Sequence, residues 1–142
     1  METVKQAAIL IGGKGTRLGD AVHSTPKPLL DVGGRPFVEH IMLNLRRFGF
    51  EDFILLAGYQ SEAVNEKYGD GSVFAQELRA DVRVIVEPYP MGTGGALKYA
   101  GRYLHEEFLL LNGDSIFDFN YLDLSNCVHD REPGNWLGRV AL

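Results

Sequence analysis

A chain of 142 residues, 45% apolar and 23% charged, has the size and composition of one α/β domain with an ordinary hydrophobic core. Its net charge of −5 argues against nonspecific nucleic-acid binding, and its single cysteine, Cys127, excludes an internal disulfide or a cysteine-based zinc site. The early apolar run at 7–11 is too short for a membrane span and lacks the flanks of a signal peptide, so a cytoplasmic protein is expected.

That first run, 7–11, is nearly continuous rather than alternating, the pattern of a parallel strand buried on both faces. It leads into Gly12-Gly13-Lys14-Gly15-Thr16-Arg17-Leu18. Glycines let the backbone approach a phosphate and turn successive amides toward it, Thr16 adds a hydroxyl donor, and Arg17 adds a planar charged fork. A tight structural turn accounts for the same string equally well. It is not a Walker A loop, since no Gly-Lys-Ser/Thr closes it, and Leu18 stands where a dinucleotide fingerprint needs its third glycine.

Next comes Thr25-Pro26-Lys27-Pro28-Leu29, whose prolines are expected to hold Lys27 in extended backbone and aim its ammonium at little ordering cost. A solvated lysine in a stiff loop is the alternative. Across 12–36, Lys14, Arg17, Lys27 and Arg35 stand against Asp20 and Asp31, so this stretch opposes the charge of the whole chain and suits a small polyanion.

Pro36 then opens a helix with Val38, Ile41, Met42 and Leu45 at i, i+3, i+4 and i+7, ending at Gly49. A strand is expected at 53–57, short helices at 61–68 and 72–79, and a strand at 82–86. After it, Glu87-Pro88-Tyr89-Pro90-Met91-Gly92-Thr93-Gly94-Gly95-Ala96 opens a helix near Gly95 that aligns Leu97, Ala100 and Leu104. Amides at that helix start could face a base or sugar; a proline-broken loop before a glycine-capped helix is the bland reading. The last strand, 108–111, ends in Asn112-Gly113-Asp114, where Asp114 could hold Mg²⁺ against phosphates. Asn112-Gly113 is also a hairpin dipeptide, with 115–119 as the returning strand. A new strand begins at 136–142 without a partner, so the fold is expected to continue past Leu142.

This β, loop, α, β, α, β, α, β order is that of a doubly wound, mainly parallel sheet, in which ligands collect at the carboxyl ends of the strands. The glycine loop and Pro-Lys-Pro, with the segments at 87–96 and 111–114, resemble the sugar-phosphate nucleotidyltransferases over about 6–124. The form Glu-Pro-x-Pro-x-Gly-Thr-Gly-Gly-Ala is most similar to guanylyltransferases acting on mannose-1-phosphate and heptose-1-phosphate, and the runs at 6–29 and 87–97 lean toward the heptose branch.

The resemblance implies a Rossmann-like fold forming one domain over 1–142 without its C-terminal portion, and transfer of GMP from GTP to a sugar-1-phosphate with Mg²⁺. It implies catalytic roles for Arg17, Lys27 and Asp114, with Asp114 also the metal ligand, and nucleotide contacts at Leu10, Gly12, Gly13, Gly15, Thr16, Glu87, Gly92, Gly95 and Asn112. A second metal-binding aspartate and the sugar contacts are expected beyond Leu142, and Ile11 occupies a position where the family usually has a small residue. The expected partners are the nucleotide, the sugar phosphate and, as an open alternative, further copies of the chain, without nucleic acid or membrane. A nucleotide-binding module without transferase activity is the rival; a NAD-binding domain is disfavoured by Leu18 and the Pro-Lys-Pro loop. His23, His40, His105 and His129 lack metal-site spacing, and no serine sits in a Gly-x-Ser-x-Gly elbow.

Overall fold

The computed structural model describes residues 3–13, 25–126, 137, 138, 140 and 141, with backbone only at 125 and 126. Its centre is a four-stranded sheet of β1 (Gln6–Leu10), β4 (Asp52–Ala57), β5 (Asp81–Val86) and β6 (Leu109–Asn112), in the order β5-β4-β1-β6. Every pairing in it is parallel, with Ile9 beside both Leu55 and Leu111 and Leu55 beside Val84. A two-stranded antiparallel hairpin, β2 (Asp31–Val32) and β3 (Arg35–Pro36), precedes the first helix. Its turn residues Gly33 and Gly34 have φ of +63° and +84°, a backbone that glycine adopts freely.

Alternation along the strands divides the core. Ala7, Ile9, Phe53, Leu55 and Ala57 face one side, where they pack with α1 (Phe37–Arg47), α2 (Ser61–Tyr68), α3 (Val73–Leu78) and Tyr121 of α5 (Tyr121–Asn126). Ala8, Ile54, Leu56 and Ile85 face the other, against Ala96 and Ala100 of α4 (Gly92–Ala100). Helices therefore cover both faces, as the doubly wound pattern requires. The central strands β1 and β4 are buried almost throughout, whereas the edge strands β5 and β6 alternate between shielded and exposed positions. Continuous apolar sequence thus corresponds to two-sided burial only at the centre.

The helix expected from Pro36 begins one residue later, with Pro36 as its cap; Val38, Ile41, Met42 and Leu45 form the buried stripe. Ser72 caps α3 by accepting the Ala75 N–H at 3.2 Å. The last long helix starts at Gly92, three residues before the expected point, because Gly92 at φ +68° turns the chain directly into α4. It tightens into a 3-10 turn over Gly101–Tyr103, so Leu104 falls outside the α-helix. Residues 115–119 carry no strand, and the hairpin alternative does not form. The strand expected at 136–142 falls largely outside the described residues, and the four that are described there have no regular structure.

A buried charged group ties the helices together. The Glu39 carboxylate accepts the Tyr68 hydroxyl at 2.8 Å and Arg35 Nη1 at 3.0 Å, while Arg35 Nη2 reaches Glu77 at 2.8 Å. Burial, and then Glu39, push the Tyr68 hydroxyl well above its ordinary pKa, so Tyr68 remains a donor. Arg35 is therefore committed to this clamp, although its charge contributes to the basic balance of the early loop.

Candidate functional site

The order β5-β4-β1-β6 places a topological switch at β1: the chain leaves it toward β4 on one side and later returns to β6 on the other. Such a switch leaves a crevice at the carboxyl ends of the strands. Short backbone bonds extend the ladders into that crevice. The Ile11 N–H donates to the Leu56 carbonyl at 2.9 Å, Gly113 N–H to Leu10 at 2.8 Å, and Glu87 N–H to Ala57 at 2.9 Å. The loops after β1, β5 and β6 are thereby fixed side by side at one edge.

Between them lies a cleft of about 400 Å³, lined by Leu10, Ile11, Gly12, Gly13, Lys27, Pro28, Leu56, Glu87, Pro90, Gly92, Thr93, Ala96, Asn112 and Asp114. This size suits a small organic ligand. A wider, more open recess of about 650 Å³ lies around Asn65 to Val73 and Val84, but no strand delivers its carboxyl end there. The smaller cleft is the one that the strand-end loops line.

Of the residues singled out in sequence, Leu10, Gly12, Gly13, Lys27, Glu87, Gly92, Asn112 and Asp114 meet in this cleft. Gly95 does not line it. It lies within α4, where an added Cβ would approach Met91 Cβ to 2.7 Å, so its smallness serves packing at the helix start. Gly15, Thr16 and Arg17, with Lys14, lie outside the described residues.

Lys27 is placed differently from the extended geometry expected for it. It starts a 3-10 turn, Lys27–Leu29, closed by Leu29 N–H to Pro26 at 2.8 Å and Leu30 N–H to Lys27 at 3.2 Å. The extended residue is Pro26, at φ −56° and ψ 140°, and Pro28, whose ring fixes φ near the helical value, is the second residue of the turn. Pro28 is buried, and a Cβ at Gly113 would come within 3.3 Å of its ring. The turn is thus docked on the end of β6.

This docking brings together two residues far apart in sequence: Lys27 Nζ donates to Asp114 Oδ2 at 3.0 Å. The Lys27 hydrogen bond, opposed by partial burial and assisted by Ser115 Oγ at 3.1 Å, holds the Asp114 carboxyl below its ordinary pKa. Asp114 is consequently ionised at neutral pH. Both side chains keep 36% and 40% of their surface exposed, so an incoming ligand can reach either.

On the opposite wall, Glu87 Oε2 accepts the Met91 N–H at 3.1 Å just before α4. Gly92, Thr93 and Ala96 present the start of that helix to the cleft, and a helix start favours an anion or a ligand acceptor. Gly12 is small for a local reason: its added Cβ would stand 3.0 Å from Glu87 Oε1 and 3.4 Å from the Gly58 nitrogen. Two contributors escaped the motif reading. Leu56 lines the floor because it pairs with Leu10, a signal available only once register is known, and Gly58 meets Glu87 across two loops.

Asp114 supplies one hard oxygen, which fits a Mg²⁺ bound chiefly through ligand phosphates and one or two carboxylates. Among the described residues no group of three histidine, cysteine or carboxylate side chains forms a ready-made metal cage. Among the same residues, no helix is long and apolar enough to cross a membrane.

The chain matches the family model described as nucleotidyl transferase over residues 6–135. It is 37% identical over 120 residues to D-glycero-alpha-D-manno-heptose 1-phosphate guanylyltransferase of Campylobacter jejuni, covering 84% of this chain and 51% of that protein. It is 36% identical over 109 residues to mannose-1-phosphate guanylyltransferase of Mycobacterium tuberculosis, covering 76% and 29%. The crystal structure of HddC from Yersinia pseudotuberculosis complexed with GMP-PN superposes with a TM-score of 0.74 at 32% identity, covering 89% of this chain and 55% of that one. The chain thus spans about half the length, or less, of these relatives. A parallel sheet with the loops after β1, β5 and β6 at one edge, matched by the family model over residues 6–135, establishes that this chain belongs to the nucleotidyl transferase family.

Proposed function

We propose that this chain carries the nucleotide-handling half of a sugar-1-phosphate nucleotidyltransferase that transfers GMP from GTP. A sugar-phosphate oxygen attacks the α-phosphorus, the bond to the bridging oxygen breaks, and pyrophosphate leaves. The observation that carries this reading is the convergence of the loops after β1, β5 and β6 on one cleft with Lys27 and Asp114 in its lining.

The reaction asks for two anions to be positioned and for charge on the departing group to be neutralised, without a covalent nucleophile on the protein. Lys27 is the cation for the α-phosphate region, and Arg17 is assigned the β and γ phosphates. The amides of Gly12, Gly13 and Gly15 cradle the phosphates, with Thr16 adding a hydroxyl. Leu10, Glu87, Gly92 and Asn112 border the nucleoside. Asp114 is assigned to Mg²⁺, which when bound would neutralise phosphate charge. Lys27 and Asp114, paired in the free protein, would exchange each other for a phosphate and a cation, so each retains a partner of opposite charge.

The guanine assignment is supported by the guanylyltransferase names of two relatives and by GMP-PN in the HddC complex. Heptose-1-phosphate and mannose-1-phosphate are accordingly the first acceptors to test. The single cysteine agrees with a cytoplasmic setting. The test is a panel of GTP, ATP, CTP, UTP and dTTP with Mg²⁺, reading melting temperature and then pyrophosphate release with each sugar phosphate. GTP should stabilise the chain most, because a ligand that binds only the folded state raises its melting point by mass action. Equal shifts for all five refute the base assignment, and tight GTP binding without pyrophosphate release by the intact parent enzyme favours a binding module.

A further inference from the structure

We propose that Gly58 is a specificity-determining position, where the absence of a side chain seats the Glu87 carboxylate so that it can read the nucleotide base. This rests on the reading of Glu87 as a residue beside the base. Gly58 follows β4 directly, and the bond from Glu87 N–H to the Ala57 carbonyl fastens residue 87 beside it. A Cβ at residue 58 would overlap Glu87 Oε1 and come within 3.2 Å of Cδ and 3.3 Å of Cγ. The same Oε1 lies 3.0 Å from where a Gly12 Cβ would stand, while Oε2 takes the Met91 N–H at 3.1 Å.

The carboxylate is thus held among three backbone segments, after β1, after β4 and before α4. A side chain at residue 58 must displace the Glu87 carboxylate from this seat. Gly58 belongs to a tightly determined loop: its carbonyl accepts the Ser61 N–H at 3.1 Å, and Gln60 adopts a left-handed backbone at φ 55°.

Position matters because a carboxylate only accepts hydrogen bonds, and each of its oxygens has two lone pairs. With Oε2 already engaged by one N–H, Oε1 and the remaining lone pair of Oε2 favour a base edge presenting adjacent N–H donors. Guanine offers a ring N–H beside an exocyclic amino group; cytosine, adenine and uracil each offer one such donor group. Gly58 touches no ligand in this scheme and is a positioning residue acting through Glu87.

The test compares Gly58→Ala, Glu87→Ala and the double variant of the 142-residue chain, measuring dissociation constants for GTP, ATP, CTP, UTP and inorganic triphosphate with Mg²⁺, and melting temperatures. Each single substitution should lower the preference for GTP about tenfold while triphosphate affinity stays unchanged. The double variant should match Glu87→Ala, since the added methyl has room once the carboxylate is gone. Full GTP preference in Gly58→Ala, or a further loss in the double variant, overturns the proposal. Full GTP preference in Glu87→Ala instead overturns the base reading on which it rests. If Gly58→Ala does not fold, recovery of folding in the double variant supports the Glu87 clash, and continued failure overturns it.

Discussion

The two ends of the central sheet use polar residues in opposite ways. At the amino edge, Gln6 is fully buried and every polar atom of its amide is engaged: Nε2 donates to Asp52 Oδ2 at 2.6 Å and to the Tyr103 carbonyl at 2.9 Å, and Oε1 accepts the His105 N–H at 2.7 Å. At the carboxyl edge, Lys27 and Asp114 meet each other but remain open to solvent beside a cleft. A polar group satisfied within the fold holds elements together, whereas one left within reach of an open volume can exchange its partner for a ligand. Here the first joins β1, β4 and the segment leaving α4, and the second is available for chemistry.

The contrast breaks most visibly under substitution at the carboxyl edge. Lys27→Ala should reduce the rate of pyrophosphate release by about 2.7–4 kcal/mol in transition-state stabilisation, the scale for losing one preorganised charge-stabilising group, with a smaller change in GTP binding. Arg17→Lys should be similarly impaired if bidentate contact matters, since it keeps charge and loses the fork. Steady-state kinetics on the intact parent enzyme check both, and near-unchanged turnover would return either residue to an ordinary loop role.

At the amino edge the expected effect is on stability instead. Gln6→Ala leaves the Tyr103 carbonyl and the His105 N–H without their buried partner, which should cost about 1–3 kcal/mol of unfolding free energy. Denaturant unfolding measures it. GTP affinity at saturating folded fraction should be unchanged, and a loss there would mean that the two edges are coupled.

The smallest effect separates stability from function within the cleft. Because Lys27 lowers the folded-state pKa of Asp114, the pair contributes stability above the ordinary carboxylate value of about 3.9 and loses it as pH falls through the lowered value. Exposure limits that contribution to less than about 1 kcal/mol. Asp114→Asn should therefore be slightly less stable at pH 7, with the difference vanishing in acid, yet it should clearly weaken the Mg²⁺ dependence of nucleotide binding. An unchanged Mg²⁺ titration would remove Asp114 from the metal assignment.

Local chemistry explains what the sequence made legible. The runs around Ile9 and Leu55 are apolar because these strands are covered on both faces, and Val38 to Leu45 shows a helical stripe because only one side of α1 is buried. Gly12 was legible as a small residue after a strand, but the Glu87 carboxylate that its smallness admits was not. The helix start at Gly92 was hidden because a glycine-rich string reads as loop. Contacts that depend on sheet order were invisible: Lys27 with Asp114, Gln6 with the His105 backbone, and Gly58 with Glu87 are each joined only when β5, β4, β1 and β6 come together.

The assignment of nucleotide binding to the carboxyl edge is tested most directly by amide chemical-shift mapping of the 142-residue chain titrated with GTP and Mg²⁺. Amides of Gly12, Gly13, Gly92 and Asn112 should shift together with a single dissociation constant, while those of Gln6 and His105 stay in place. Shifts confined to Asn65 through Val73, or to the amino edge, would contradict it.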